Sequence, residues 1–329
     1  MMKIKALLFL WLHLCCVATP ALADTVDIRE WLVPWEKSEP TGAFMDSRGR
    51  VWFAGFSDSY IANFSPETAE FNRYDLRKGT APAALLVDEE DRIWYASNKR
   101  RYIGMLDPGT GRVAEIEMPD RKAKQPRSLA FDQNGDIWFT VEDGNFVGRL
   151  KVDDQSIALI PVPTSKSRPY GITVNSINQP WVASSGNNTL LSIDPVEMTI
   201  AEIVLPNPDS RTRRIVTTSD DMVWYADFER GQLGRYDPGR DEFTEWLMPG
   251  GPDSRPFGMA VDRDDRLWIV ETGSIPNRLI GFDAAAESFL TESDIPSGAG
   301  SVGELHYSEA NGEVWFATAS NYIGRAKIH

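Results

Sequence analysis

Residues 135–140 read GDIWFT, and the same phrase returns along the whole chain. It stands as RVWFA at 50–54, RIWYA at 92–96, QPWVA at 179–183, MVWYA at 222–226, RLWIV at 266–270 and EVWFA at 313–317. The tryptophans that mark it, Trp52, Trp94, Trp138, Trp181, Trp224, Trp268 and Trp315, are 42 to 47 residues apart. A fixed period of this length marks a repeat architecture.

Working outward from each Trp, a β-branched or apolar run lies about ten residues upstream and tends to follow Pro-x-Gly, as in RPYGITVN at 168–175 and RPFGMAVD at 255–262. Downstream comes a Gly-Arg stretch such as VGRLKV at 147–152 or LGRYDP at 233–238, then a fourth run ending in proline, such as FTEWLMP at 243–249. Four short alternating runs separated by Asp, Asn, Gly and Pro are the sequence form of a four-stranded antiparallel sheet. No stretch keeps a 3.6-residue period between helix caps. The expected fold is all-β: a seven-bladed β-propeller of four-stranded antiparallel blades, with the repeated Trp in the inter-blade core. The last unit stops after its third run, IGRAKI at 323–328, while DIREWLVP at 27–34 reads like EFTEWLMP at 242–249. The amino-terminal strand is therefore expected to join the last blade and to remove the open sheet edges.

The 329 residues carry 48 Asp and Glu against 34 Lys and Arg, a net charge of −14. That balance argues against nucleic acid as a partner, because phosphate binding needs clustered cations. Residues 1–23 have the form of a signal peptide: Lys3 and Lys5, an apolar run over 6–17, and Ala21-Leu22-Ala23. The propeller then spans 24–329, in a periplasmic or secreted protein with no membrane span after signal cleavage. Cys15 and Cys16 both fall in the signal, so thiolate catalysis and Cys-ligated metal are excluded from the mature chain. Beyond His13 only His306 and His329 remain, too few for a mechanism with two imidazoles at one site.

Taken together, the Pro-x-Gly starts, the GDIWFT core, the VGRL, LGRY and IGRA strands and the FTEWLMP outer strand resemble the virginiamycin B lyase (streptogramin lyase) family. The resemblance runs from about Asp27 to the end. It implies the propeller fold and a magnesium-assisted elimination that linearises a cyclic depsipeptide at its ester bond. It also implies His in the middle of Pro-x-Gly in units six and seven, one Glu just before that Pro in unit seven, and another four residues past the Trp there. An aromatic is implied at the middle of unit one. Matched by position, this chain has Phe257, Val302, Gly300, Ala319 and Thr41. None of these side chains serves as general base, general acid or magnesium ligand.

At the entry to each inner strand, where the channel mouth is expected, the residues before Pro are Glu39, Ala81, Gln125, Arg168, Arg211, Arg255 and Gly300. The middle residues are Thr41, Ala83, Arg127, Tyr170, Arg213, Phe257 and Val302. Five arginines, Arg127, Arg168, Arg211, Arg213 and Arg255, thus fall on units three to six with Tyr170 and Phe257 among them. Guanidiniums beside aromatic faces suit a small anionic ligand, or an envelope protein presenting such a group. Glu142, Asp227 and Glu271, after the second strands, are the candidate ligands for a Mg²⁺ or Ca²⁺ ion. Three kinds of function are expected, of which the first two are a binding module with an Arg-lined mouth and an enzyme, either a divergent lyase or a metal-dependent lactonase. An architectural subunit of an envelope complex is the third.

Overall fold

The computed structural model describes residues 26–298 and 300–328; the expected signal segment and His329 lie outside them. The described residues form seven four-stranded antiparallel sheets and no helix. Blade one is β2 (Pro40–Met45), β3 (Val51–Gly55), β4 (Tyr60–Ser65) and β5 (Glu70–Asp75), and five more blades of the same kind follow. The seventh is β26 (Leu305–Ser308), β27 (Glu313–Thr318), β28 (Tyr322–Lys327) and, as expected, β1 (Asp27–Leu32). β1 pairs with β28 from Asp27 opposite Lys327 to Leu32 opposite Tyr322. Beyond the ladder, Asn321 Nδ2 donates to the carbonyls of Val33 and Trp35, each at 3.0 Å. Trp31 stacks on Trp315 with ring centroids 5.8 Å apart and packs against Phe64 of blade one.

Each second strand is apolar on both faces because each is covered by a blade on both sides; every residue of β3 is buried. The Trp rings are interior, with no more than 3% of any exposed. Six residues upstream stands the reason that so large a polar-edged ring can be buried. Asp46 Oδ2 accepts from Trp52 Nε1 and from Arg50 Nε, both at 2.7 Å, while its Oδ1 takes the backbone N–H groups of Arg48 and Arg50. One carboxylate thus closes the turn and satisfies the indole. Asp88, Asp132 and Asp262 accept from Trp94, Trp138 and Trp268 in the same way, and Thr218 does so for Trp224.

The recurring Gly of the third strand answers to the aromatic residue after the Trp. Tyr95, Phe139, Tyr225 and Phe316 lie opposite Gly104, Gly148, Gly234 and Gly324. A Cβ on any of these glycines would stand 2.0–2.2 Å from the facing ring. Where the aromatic is aliphatic the glycine is gone: Val182 faces Leu191 and Ile269 faces Ile280. Blade one is the exception, with Phe53 facing Ala62; in the other six blades the two positions exchange volume as a pair.

The loop into the inner strand has its own rule. Glu39, Ala81, Gln125, Arg168 and Arg255, each just before the Pro, hold φ between 47° and 60°. This left-handed conformation is uncommon for non-glycine residues. Two backbone bonds to the end of the second strand fix it; in blade three Glu142 N–H donates to Gln125 O at 2.9 Å and Gly144 N–H to Lys124 O at 3.1 Å.

Gly148→Ala is expected to destabilise the fold by about 1–3 kcal/mol through overpacking against Phe139. Adding Phe139→Val, which copies the aliphatic pairing of blade four, is expected to restore part of the loss. Thermal melts of the single and double variants measure this; additive losses would refute the coupling.

Candidate functional site

The inner strands of blades three to six are β10 (Pro126–Phe131), β14 (Pro169–Val174), β18 (Thr212–Thr217) and β22 (Pro256–Val261). Strand register aligns these with blade seven and corrects two positions of the sequence reading, Gly300 before the Pro slot and Val302 in the middle slot. His306 pairs with Trp315 where Ala260 pairs with Trp268, and Ala319 N–H bonds Ser301 O where Thr272 N–H bonds Arg255 O. Val302 therefore sits in the proline slot, Gly303 in the middle slot and Ser301 before them. The turn between β26 and β27 is one residue longer than its counterparts, which shifted the count. Neither Gly303 nor Phe257 brings an imidazole to the middle slots.

A cavity of about 310 Å³ opens at the mouth end of the axis. Of the expected site residues, Arg127, Tyr170 and Phe257 line it, joined by Phe56, Arg214 and Glu304. Arg127 lies 4.5 Å from the Tyr170 ring centroid and donates to the Tyr170 hydroxyl. Tyr170 packs on Phe257 and Phe257 on Phe228, with centroids 6.0 and 5.8 Å apart. Arg213 stacks behind this trio, 3.6 Å from the Phe228 centroid, and Arg255 reaches the same ring at 5.2 Å. Burial, together with the like charge of Arg127, draws the Arg213 pKa below its ordinary value. No carboxylate of the described residues lies within 4 Å of its guanidinium.

The other two arginines are occupied elsewhere. Arg168 forms an ion pair with Glu142, which also lies 3.9 Å from Arg127. Arg211 donates to the carbonyls of Pro208 and Ser210 at 2.9 and 2.6 Å.

The three candidate metal ligands do not converge. Glu142 holds Arg168; Asp227 lies 3.4 Å from Arg230 and accepts from the Arg211 N–H; Glu271 holds Arg278 and accepts from the Gly250 N–H at 2.8 Å. Among the described residues no three His, Cys, Asp or Glu side chains could share an ion. Each of the three acids expected to hold Mg²⁺ or Ca²⁺ is instead paired with its own arginine. An apolar Phe257 and a side-chain-free Gly303 occupy two of the slots where the resemblance implies polar groups.

Two residues that sequence reasoning passed over form the cavity floor. The slot after the middle residue holds Gly42, Ala84, Ser128, Gly171, Arg214, Gly258 and Glu304 in the seven blades. Crowding at the axis keeps it small: a Cβ on Gly171 would stand 2.5 Å from Arg213 O. The two exceptions meet across the channel, Arg214 Nη1 lying 3.5 Å from Glu304 Oε1 and 3.2 Å from Ser128 Oγ. Below this bridge lies a second chamber of about 290 Å³, lined mainly by apolar side chains and His306. Burial raises the Glu304 pKa, opposed by Arg214 and Arg127, and its Oε2 is buried without a partner. A charge in a slot of small residues was the signal available in the sequence.

A family model described as the virginiamycin B lyase family matches residues 10–279. The chain superposes on selenomethionine-substituted virginiamycin B lyase from Staphylococcus aureus with a TM-score of 0.83 and 24% identity, over 92% of this chain and 100% of that one. A catalytically inactive His-to-Ala variant of the Staphylococcus aureus enzyme, solved with quinupristin, is 25% identical with the same TM-score and coverage. Hydrazine synthase from Kuenenia stuttgartiensis shares the fold at 13% identity and a TM-score of 0.73, over 89% of this chain and 96% of that one. No curated protein matches the sequence.

His306, stacked on Phe44 at 4.4 Å, has its pKa drawn down to about 4 by burial. The unfolded chain alone binds this proton between pH 6.5 and about 4, so stability falls as pH drops through that window. The loss is at most roughly 3 kcal/mol. Glu304 works in the opposite sense, since a raised carboxyl pKa lets the folded chain take its proton first. Urea unfolding of wild type and His306→Gln from pH 7 to 4 is expected to show the variant losing less stability; parallel curves would refute this.

Proposed function

Because the chain belongs to the virginiamycin B lyase family, we propose that it uses the family's propeller as an exported binding module, periplasmic or secreted, and not as a depsipeptide lyase. The ligand is a compact aromatic or apolar molecule carrying a carboxylate or sulfate; an envelope protein presenting such a group would use the same chemistry. One observation carries this reading: Arg127 and Arg214 line the mouth cavity beside Tyr170 and Phe257, while no imidazole of the described residues lines it. Planar guanidiniums next to aromatic walls match a flat anion through paired N–H donors and ring stacking. Support for export comes from the signal-like composition of residues 1–23 and from likeness to the extracellular domain of a putative one component system of B. thetaiotaomicron, at a TM-score of 0.68. No helix among the described residues is long and apolar enough to cross a membrane.

A second reading, a divergent enzyme, is favoured by Glu304 alone. A buried carboxyl with a raised pKa and an unpartnered oxygen in the cavity floor has the character of a proton donor.

Two measurements separate them. Quinupristin incubated with the protein and Mg²⁺ is expected to keep its ring, read as an unchanged chromatographic profile; linearisation would overturn the binding reading. Calorimetric titration with aromatic carboxylates, beginning with N-acetylphenylalanine, is expected to show binding that Arg127→Ala weakens about tenfold or more, as loss of a charge-assisted pair implies.

A further inference from the structure

A cleft of about 570 Å³ lies on the mouth side of the disc but away from the axis, between blades two and three. Its wall is the turn joining β7 (Ile93–Ser97) to β8 (Tyr102–Asp107), whose residues Asn98-Lys99-Arg100-Arg101 form the most basic second-to-third-strand turn of the chain. Lys124, ahead of β10, and Arg77, after β5, complete five cations against two acids, Glu117 and Asp143. This stands on a chain of net charge −14. Lys99, Arg100, Arg101 and Lys124 have no carboxylate within 4 Å among the described residues, and Arg77 reaches Glu115 at 3.4 Å.

The repeat supplies an internal control. Arg230 of blade five occupies the place of Arg100, three residues past the end of the second strand. It rests on two carboxylates, Glu245 at 2.8 Å and Asp227 at 3.4 Å. In blade two the Asp227 position is Ser97. The Glu245 position is Glu115, opposite Gly104 as Glu245 is opposite Gly234, and Glu115 turns outward to Arg77. Arg100 keeps one bond, from Nη2 to Lys78 O at 2.8 Å, and its Nε is buried with no partner. Asn98, only 7% exposed, also lines the cleft with an unpartnered Nδ2. Two residues of the cleft wall thus each carry a buried donor without an acceptor, a state that buried polar groups rarely keep.

We infer that this cleft is a binding site for a ligand carrying two or more phosphate or sulfate groups, with Arg100 and Asn98 donating to one group and Lys99, Arg101 and Lys124 facing the others. The spread of cations around the cleft matches several oxyanion groups better than a single small anion, which salt would screen at the exposed lysines. The inference is independent of the reading of the central mouth.

Calorimetry with inorganic tripolyphosphate and with a sulfated heparin tetrasaccharide tests it and separates the phosphate from the sulfate source. Wild type is expected to bind at least one probe, and Arg100→Gln and the surface variant Lys99→Ala/Arg101→Ala are each expected to weaken it about tenfold. Ser97→Asp, which restores the acid of blade five beside Arg100, is expected to weaken it likewise, and Arg255→Ala at the central rim to leave it unchanged. Failure of both probes to bind wild type overturns the site, as does wild-type affinity in the Lys99→Ala/Arg101→Ala protein. A loss in Arg255→Ala equal to that in Arg100→Gln moves the binding to the mouth and also overturns it.

Discussion

The ladder between β1 and β28 is the constraint on which the other blades depend. A blade of this type buries both faces only when a neighbour covers each, so an open array of seven would leave two apolar faces and a free strand edge. Six residue pairs between the two ends of the chain close the ring, so that both faces are covered and the edge left is that of a complete four-stranded blade. Trp31 carries the closure into the core by lying on Trp315 and Phe64, tying the last blade to the first. The local rules elsewhere, indole on aspartate and ring over glycine, repeat within a blade and would hold in any number of them. Ring size and completeness are set at this seam.

Almost all of the fold was legible because the repeat prints the same physical requirement seven times. A buried Trp recurs in all seven units, an acid six residues ahead of it accepts from the indole in four, and a glycine receives the next ring in four. Blade seven shows where spacing alone misleads: one extra turn residue moved Val302 out of the middle slot and Gly303 into it. The site was only partly legible. Arg127, Tyr170 and Phe257 share the cavity as their common slot requires. The partners of the remaining arginines come from other loops, as Glu142 does for Arg168, 26 residues away in sequence. Arg214 and Glu304 were unmarked because only the two positions around the Pro were compared between units, and their meeting joins inner strands of two blades that are not adjacent in the ring.

That meeting gives the channel two unlike ends. Above the bridge the walls are guanidinium and aromatic; below it they are mainly apolar, with one imidazole kept neutral by its surroundings. Both chambers share the side chains of Arg214 and Glu304. The Glu304 carboxyl is the group most exposed to a change on either side, since removing it from water raises its pKa and only cationic neighbours oppose that.

The left-handed residue before the inner strand of five blades has a consequence for how such a protein diversifies. The same backbone angle is held by glutamate, alanine, glutamine and arginine in different blades, so the scaffold dictates the direction of the side chain there and is indifferent to its identity. Holding a non-glycine residue in that region costs on the order of 1–3 kcal/mol, whichever residue it is. Descent can therefore rewrite the crown of the disc one letter at a time, trading one recognition chemistry for another while the sheets beneath stay as they were.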